Sequence, residues 1–280
     1  MSFTLTTNRS KYICDIFDAC SIILKMGDII VREDGLYVSG MDSMHVSLIS
    51  LELNKSDFTG YVFEPDMETK SISIGVNFEE FVKLLKASSG HDDLILQYDG
   101  TPKLDIIFSN DGLRRKYSLK LIDIEVDELQ IPTTDYFLEL SISSQIFNSM
   151  INSVAITGAD EMRFSIKNNR LITSSTGDLS DTEFIFNKET GYESRIGCKI
   201  NLKKRVANIS PSSKQIYKLI SCEGDFSSSI GLNLLKNISK ANSLTPTIMC
   251  NMSPDKPLRL DYEFNDGGSI LYYYISPKIE

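Results

Sequence analysis

The sequence has little of several residue types that build catalytic and metal sites: no tryptophan, two histidines and five cysteines in 280 residues. No CxxC pair occurs, and His45 and His91 are not at metal-ligand spacing, so we expect no metal site and reduced thiols. No apolar run approaches the roughly 18 residues of a membrane helix. The first residues, MSFTLTTNRSKY, lack the apolar core of a signal peptide, so we expect no secretion.

The common catalytic motifs are missing as well. The chain contains no GxGxxG, no phosphate-binding GxxxxGKS/T, no HExxH and no GxSxG. Segment 91–93 (HDD) has the composition of a general-base cluster, and we interpret it as a solvated turn. Asp42 and Ser43 lie near His45, but the members of a catalytic triad are brought together by the fold and not by adjacency. We therefore expect no enzymatic activity and no cofactor.

The charge is strongly acidic, with 29 Lys and Arg against 38 Asp and Glu and a net charge of −9. This balance excludes a uniformly basic surface. It does not exclude a nucleic-acid partner, because binding needs a local basic patch and not a positive total charge.

Four short amphipathic helices are predicted from apolar residues at i, i+3, i+4 and i+7. The apolar stripe of the first runs from Ile13 to Leu24. Asn77 has the side chain of an N-cap for the second, and Gly90 is a suitable stop signal. The four helices are predicted over residues 10–24, 77–88, 144–154 and 231–241.

Most of the remaining chain is rich in β-branched and aromatic residues, partly in alternation with polar ones. Turn signals such as Asp99-Gly100 separate these runs. Strands are predicted over residues 36–38, 46–53, 71–76, 94–98, 104–108, 115–121, 136–142, 162–166, 171–174, 183–186, 195–200, 216–222, 247–252, 258–264 and 269–276.

The order of these elements repeats. Helix, strands, helix, strands occupies residues 1–121, and the same order restarts near Tyr136. Between the two copies, IDIEVDELQIP is acidic and ends in proline, which is typical of an exposed linker. We therefore predict an α+β chain with domains over 1–121 and 136–280, joined by a connecting loop over 122–135. The second copy is longer because of residues 187–215.

Four separated segments resemble the proliferating cell nuclear antigen family of sliding clamps, in the family's own order. They are Gly35–Leu53 (GLYVSGMDSMHVSLISLEL), Gly75–Lys86 (GVNFEEFVKLLK), Ile122–Tyr136 (IDIEVDELQIPTTDY) and Leu271–Glu280 (LYYYISPKIE). The resemblance extends over essentially the whole chain, and it is compatible with a divergent or viral member.

The resemblance implies the DNA-clamp fold, with two similar domains that each hold paired antiparallel sheets and two helices. Three chains would close head-to-tail into a ring around duplex DNA. The implied function is a homotrimeric, non-enzymatic processivity factor for DNA replication and repair. It would dock a DNA polymerase, clamp loader, flap endonuclease and ligase, in the nucleus or at a viral replication site.

Two alternatives remain open. One is a subunit of a hetero-oligomeric or non-trimeric ring, such as a viral clamp. The other is an enzyme whose site the motifs do not reveal.

The resemblance also implies three functional surfaces. The partner-peptide pocket comprises Met41, His45, Val46, Leu48, Leu129, Ile131, Tyr136, Pro257, Tyr274, Ile275, Ser276 and Pro277. The subunit interface comprises Arg115, Tyr117 and Leu119 of one chain and Asp181, Phe184 and Phe186 of the next. The DNA-facing residues are Lys11, Lys25, Lys83, Lys86, Lys236 and Lys240.

The DNA-facing surface departs from the family pattern. Several positions that are usually basic on the first and third helices hold Cys14, Asp15, Ser21, Ser149 and Asn152 instead. Six lysines stand against four acidic residues on the outward faces, an excess of two positive charges per chain. We therefore expect a ring that retains DNA by encircling it, with weak and sequence-independent phosphate contacts. At the pocket, Lys256 stands where the family more often has an apolar residue.

Overall fold

The structure is a computed structural model that divides the chain into two compact units. It describes residues 1–65, 70–124, 135–167, 170–186, 217–222, 224–254, 256–264 and 268–278. Unit one holds Met1–Thr133, Ser243–Thr245 and Asp261–Tyr273, and unit two holds Thr134–Asn242, Pro246–Leu260 and Tyr274–Glu280. The predicted boundaries of the connecting loop stay a prediction, because residues 125–134 lie outside the described residues.

Unit one combines two antiparallel sheets with two helices, α1 (Ser10–Ser21) and α2 (Phe78–Leu85). Its strands in chain order are β1 (Ser2–Thr7), β2 (Met26–Val31), β3 (Gly35–Met41), β4 (Ser47–Asn54), β5 (Gly60–Glu64), β6 (Ile72–Asn77), β7 (Asp93–Tyr98), β8 (Lys103–Asn110) and β9 (Leu113–Lys120). One sheet has the order β5-β1-β7-β8-β9. The other contains β4-β3-β2-β6.

Unit two repeats this plan with α3 (Ser144–Ala155) and α4 (Leu232–Ile238). Its strands are β10 (Leu138–Ser143), β11 (Glu161–Lys167), β12 (Arg170–Thr176), β13 (Asp181–Phe186), β14 (Tyr217–Cys222), β15 (Phe226–Gly231) and β16 (Thr247–Ser253). One sheet has the order β13-β12-β11-β15, and the other contains β14-β10-β16 followed by β17 (Lys256–Phe264). β17 and β18 (Ser269–Ile275) contribute residues to both units.

The helices form where the apolar spacing predicts them, because each buries one stripe against its own unit. In unit one, Phe17 of α1 packs edge-on against Phe81 of α2, with ring centroids 4.9 Å apart. α1 ends at Ser21, so the last apolar residues of its predicted stripe, Ile23 and Leu24, are buried just beyond the helix. The Asn77 side chain accepts from the Glu80 N–H at 3.1 Å, which confirms the predicted N-cap of α2.

The helices of unit two follow the same rule. The stripe Phe147, Met150, Ile151 and Val154 of α3 is buried, as predicted. The predicted fourth helix is shorter than its apolar pattern, because the chain continues from Ile238 into a 3₁₀ turn over Ser239–Ser243.

Four strands were not predicted from the sequence: β1, β2, β5 and β15. β1 (SFTLTT) alternates cleanly between half-buried and buried residues, but its apolar residues are only Phe3 and Leu5. β15 (FSSSIG) is rich in serine, so it has little β-propensity and is fixed by pairing with β11. The predicted strand 195–200 and the long region 187–215 fall outside the described residues.

Candidate functional site

In unit one, the predicted pocket residues surround a tight loop between β3 and β4. The Asp42 carboxylate accepts from the backbone N–H groups of Ser47 (2.7 Å), Val46 (2.9 Å) and Met44 (3.2 Å). The backbone of His45 is left-handed, with φ of 56°, and its N–H donates to the Asp42 carbonyl at 3.0 Å. One carboxylate therefore fixes the path of the whole loop.

The same hydrogen bonds set the acidity of this carboxyl group. Partial burial raises its pKa, but the donors of Ser47, Met44 and Val46 outweigh burial and hold the pKa of Asp42 below its ordinary value. A lowered pKa in the folded state means that the stabilisation is complete above the ordinary pKa of about 3.9. It is lost as the pH falls through the lowered value.

Removing this carboxylate is expected to loosen the loop without unfolding the unit. Asp42→Ala leaves three amides without their acceptor, so we expect the Val46 and Ser47 amides to exchange with deuterium about five- to tenfold faster. Amide exchange followed by NMR measures this directly. Asp28→Ala is the matched control, since among the described residues Asp28 accepts one hydrogen bond, from the Ser73 hydroxyl at 2.7 Å. Unchanged exchange in Asp42→Ala would show that the loop is held by something else.

The side chains of this loop form a partly apolar surface, and they differ in how far they are exposed. Met41 and Val46 are half-buried, and His45 is exposed. Leu48 is buried and supports the loop from the core. Sequence analysis did not single out Met44, whose side chain is 72% exposed in the same loop. An exposed methionine beside half-buried apolar groups is suited to contacts with a partner protein.

In unit two, the predicted pocket residues divide into a buried layer and an accessible layer. Tyr136 and Tyr274 are buried, and Ile275 has no exposed surface. Pro257 and Pro277 are half-buried, and Ser276 is exposed. Ile275 therefore packs in the core, and among these predicted pocket residues the two prolines and Ser276 have accessible side chains.

Two cations border this second group. The Arg259 guanidinium lies over the Tyr136 ring, 4.8 Å from its centroid. The Lys256 ammonium group donates to the Asp135 carbonyl at 3.1 Å. The remaining predicted pocket residues, Leu129 and Ile131, fall outside the described residues, and their role stays a prediction.

The predicted DNA-facing lysines of unit one are largely balanced by neighbouring acids. Lys86 pairs with Asp18 at 2.8 Å, and Lys11 lies 3.5 Å from Asp15 one helical turn along α1. Lys25 and Lys83 are exposed, and neither has an ion pair in the described part of the chain. The four predicted DNA-facing lysines of unit one are thus matched by four acidic residues, of which Glu79 and Glu80 are the other two.

The helix pair of unit two has a different charge. Lys236 and Lys240 are exposed, and Lys240 donates to the Asn237 side chain at 3.2 Å. α3 and α4 carry no acidic residue. The other exposed positions of these two helices hold amide and hydroxyl side chains, such as that of Asn152. The excess of two positive charges counted from the sequence therefore resides on this unit.

The predicted interface residues of unit one lie on an outer strand. β9 ends its sheet, so its far edge has no strand partner among the described residues. Tyr117 is half-buried and Leu119 is buried. Arg115 is engaged within the unit: its guanidinium donates to the Ala87 carbonyl at 2.9 Å and to the Asp92 carboxylate. The Arg115 side chain therefore holds β9 in place through contacts within the unit.

Asp92 corrects the interpretation of segment 91–93 as a solvated turn, because its side chain is only 2% exposed. The Ser89 N–H donates to its carboxylate at 2.6 Å, and Arg115 adds a charged donor. These donors, led by Ser89, outweigh burial and lower the pKa of Asp92. The carboxylate ties the segment that follows α2 to β9, so it has a structural role.

The predicted interface residues of unit two lie on β13, which is also the outer strand of its sheet. Asp181 is exposed, while Phe184 and Phe186 are buried in the unit. β13 therefore presents its backbone edge and its polar face, whereas the two rings pack inward.

The remaining chemistry is sparse. Cys14, Cys20 and Cys250 are buried. Burial raises the pKa of Cys14 to about 11, so this thiol is protonated and unreactive at neutral pH. The described residues hold no cluster of three or more metal-ligating side chains. None of the helices in the described ranges is both long and apolar enough to cross a membrane.

The architecture has a close counterpart among solved structures. The crystal structure of proliferating cellular nuclear antigen from Entamoeba histolytica superposes with a TM-score of 0.81, covering 99% of each chain at 19% identity. Paired antiparallel sheets with two helices in each of two units thus define a DNA-clamp fold.

The sequence comparisons identify the family. A model of the proliferating cell nuclear antigen N-terminal domain matches residues 5–130, and a model of the C-terminal domain matches residues 193–278. The DNA polymerase sliding clamp of Methanococcus vannielii is 27% identical over 89% of this chain and 88% of its own. Proliferating cell nuclear antigen of Chaetomium thermophilum is 25% identical over 94% and 93%. The chain belongs to the proliferating cell nuclear antigen family of sliding clamps.

Proposed function

We propose that this protein is a homotrimeric DNA sliding clamp that encircles duplex DNA and keeps a DNA polymerase on its template. The observation that carries the proposal is the family match in both halves of the chain. Two further features support it: each unit supplies a helix pair bearing lysines, and each ends one sheet in a strand that has no outer strand partner among the described residues. Head-to-tail pairing of two different edges closes a ring when the rotation between protomers is right.

The clamp itself catalyses no reaction in this proposal. It is loaded by a clamp loader and then serves as a platform for a polymerase, a flap endonuclease and a ligase. Its place of action is the replication site, in the nucleus or at a viral replication site.

Partner proteins dock through short helical peptides that present one aliphatic and two aromatic anchors. The predicted contacts of unit two are Pro257, Ser276 and Pro277, and those of the connector are Leu129 and Ile131. In unit one the receptor is the Asp42 loop. The exposed Met44 belongs to this surface as well. The half-buried and exposed side chains contact the peptide. Leu48 and Ile275 are buried and pack in the core.

The mass of the particle tests the ring. Light scattering after size exclusion is expected to give about three times the chain mass of 31.5 kDa. A mass of two, four or six chains would favour a non-trimeric ring. A monomer at every protein and salt concentration would favour a subunit that needs a second kind of chain, an alternative favoured by the balanced charge of the unit-one helices.

A further inference from the structure

The outer strands β9 and β13, which end their sheets in the described part of the chain, carry opposite charge. On β9, Tyr117 and Leu119 lie on the more buried face, while the alternate positions are exposed. Three of those four exposed positions are basic. They are Arg114, Lys116 and Lys120. Lys116 is already paired with Asp105 on β8, at 2.7 Å. Arg114 and Lys120 form no ion pair with any of the described residues.

β13 shows the complementary pattern. Its burial alternates strictly, with Thr182, Phe184 and Phe186 buried. The exposed positions are Asp181, Glu183 and Ile185. Within the described part of the chain, neither carboxylate forms an ion pair. One edge therefore offers unpaired cations and the other unpaired carboxylates, each on the solvent face of its strand.

In the proposed ring, β9 of one protomer pairs antiparallel with β13 of the next, which is the subunit interface that the family resemblance implies. We propose that the charges on the solvent faces of these two strands hold this contact and make ring closure salt-dependent. This inference rests on the proposed function, since it assumes a ring of identical chains. It adds the force that closes the ring in this protein and the residues that supply it.

The alternation of side chains restricts how the strands can pair. A one-residue slip would place the buried rings of β13 on the charged face of β9, so only registers that keep the two buried faces together are allowed. In every such antiparallel register with at least three residues of overlap, a basic residue of β9 lies directly opposite Asp181 or Glu183. Directly opposed charges on one sheet face attract, and like charges repel.

Charge reversal on one edge tests the proposal. The double variant Arg114→Glu/Lys120→Glu places like charges across the contact, so the dissociation constant of the full-length ring is expected to rise at least about tenfold. Asp181→Lys/Glu183→Lys is expected to weaken it similarly. Combining all four substitutions restores opposite charges and is expected to restore the ring. Sedimentation velocity over a range of protein concentrations measures the assembly, and circular dichroism confirms that each variant is folded.

The matched control is Lys55→Glu/Lys70→Glu, which makes the same change in net charge at exposed positions of unit one. It should leave assembly unchanged. The wild-type ring should dissociate more readily as salt is raised to about 1 M, where the screening length falls to about 3 Å.

The outcomes separate the two proposals. Rings that form in the wild type but are insensitive to salt and to both reversals would overturn the electrostatic contact and leave the clamp function standing. Weakening by the single-edge reversals without restoration by the fourfold variant would also count against this pairing. A wild-type chain that stays monomeric at low salt would overturn the homotrimeric clamp itself.

Discussion

The substitution Val46→Glu is expected to raise the dissociation constant of a clamp-binding peptide at least about thirtyfold, which corresponds to about 2 kcal/mol. Val46 is half-buried in the loop between β3 and β4, and a carboxylate there would be desolvated against the peptide's apolar anchors without a partner. The loop itself should survive, because Asp42 accepts from the backbone of Val46 and not from its side chain. Isothermal titration with a synthetic peptide of one aliphatic and two aromatic anchors measures the effect.

Val62→Glu is the matched control for this experiment. Val62 lies on β5 of the same unit, its side chain is 55% exposed, and the substitution is identical. Peptide affinity should not change. Ile131→Ala extends the test to the connector, where a loss of affinity is also expected. Equal affinities for Val46→Glu and Val62→Glu would show that partners dock elsewhere.

DNA topology is expected to decide whether the protein stays bound. Rings assembled on a nicked circular plasmid should co-elute with it at physiological salt, and linearising the plasmid should release them. A short linear duplex should bind with a dissociation constant of about 10⁻⁴–10⁻⁶ M, the range of non-specific contacts. The reason is electrostatic: Lys11 and Lys86 of unit one are paired with carboxylates, and the predicted DNA-facing lysines of this unit are matched in number by acidic residues, so few phosphates can be neutralised.

The residual affinity for linear DNA should depend on unit two. Lys236→Glu/Lys240→Glu is expected to weaken binding of the short duplex at low salt and to flatten its salt dependence, measured by fluorescence anisotropy. Lys55→Glu/Lys70→Glu provides the same charge change elsewhere and should have a smaller effect. Nanomolar binding to a short linear duplex at physiological salt would contradict retention by encirclement.

Much of the fold could be predicted because helices with a 3.6-residue apolar period bury one continuous stripe. The stripes of α2 and α3 are long enough to show in the sequence alone. Strands such as β1 and β15 are short and rich in hydroxyl residues, and they are specified by the neighbours with which they pair. Their partners lie far away in the sequence, so local patterns do not reveal them.

The distribution of charge on the candidate DNA surface is also only partly predictable from the sequence. Lys11 and Asp15 are one helical turn apart, and their pairing follows from the sequence. Lys86 and Asp18 are 68 residues apart and meet only because α1 packs on α2. A residue count therefore gives the total excess of lysine but not its location. Asp92 is a similar case, since only the fold shows that Arg115 reaches it.

The loop held by Asp42 has a thermodynamic consequence for recognition. Its backbone loses conformational entropy when the protein folds and not when a partner arrives. A peptide that folds into a short helix on this loop bears its own ordering cost but meets a receptor that is already arranged. Under the proposed function, different peptides would therefore compete for the loop on the quality of their anchors, and exchange among them would not require the receptor to rearrange each time.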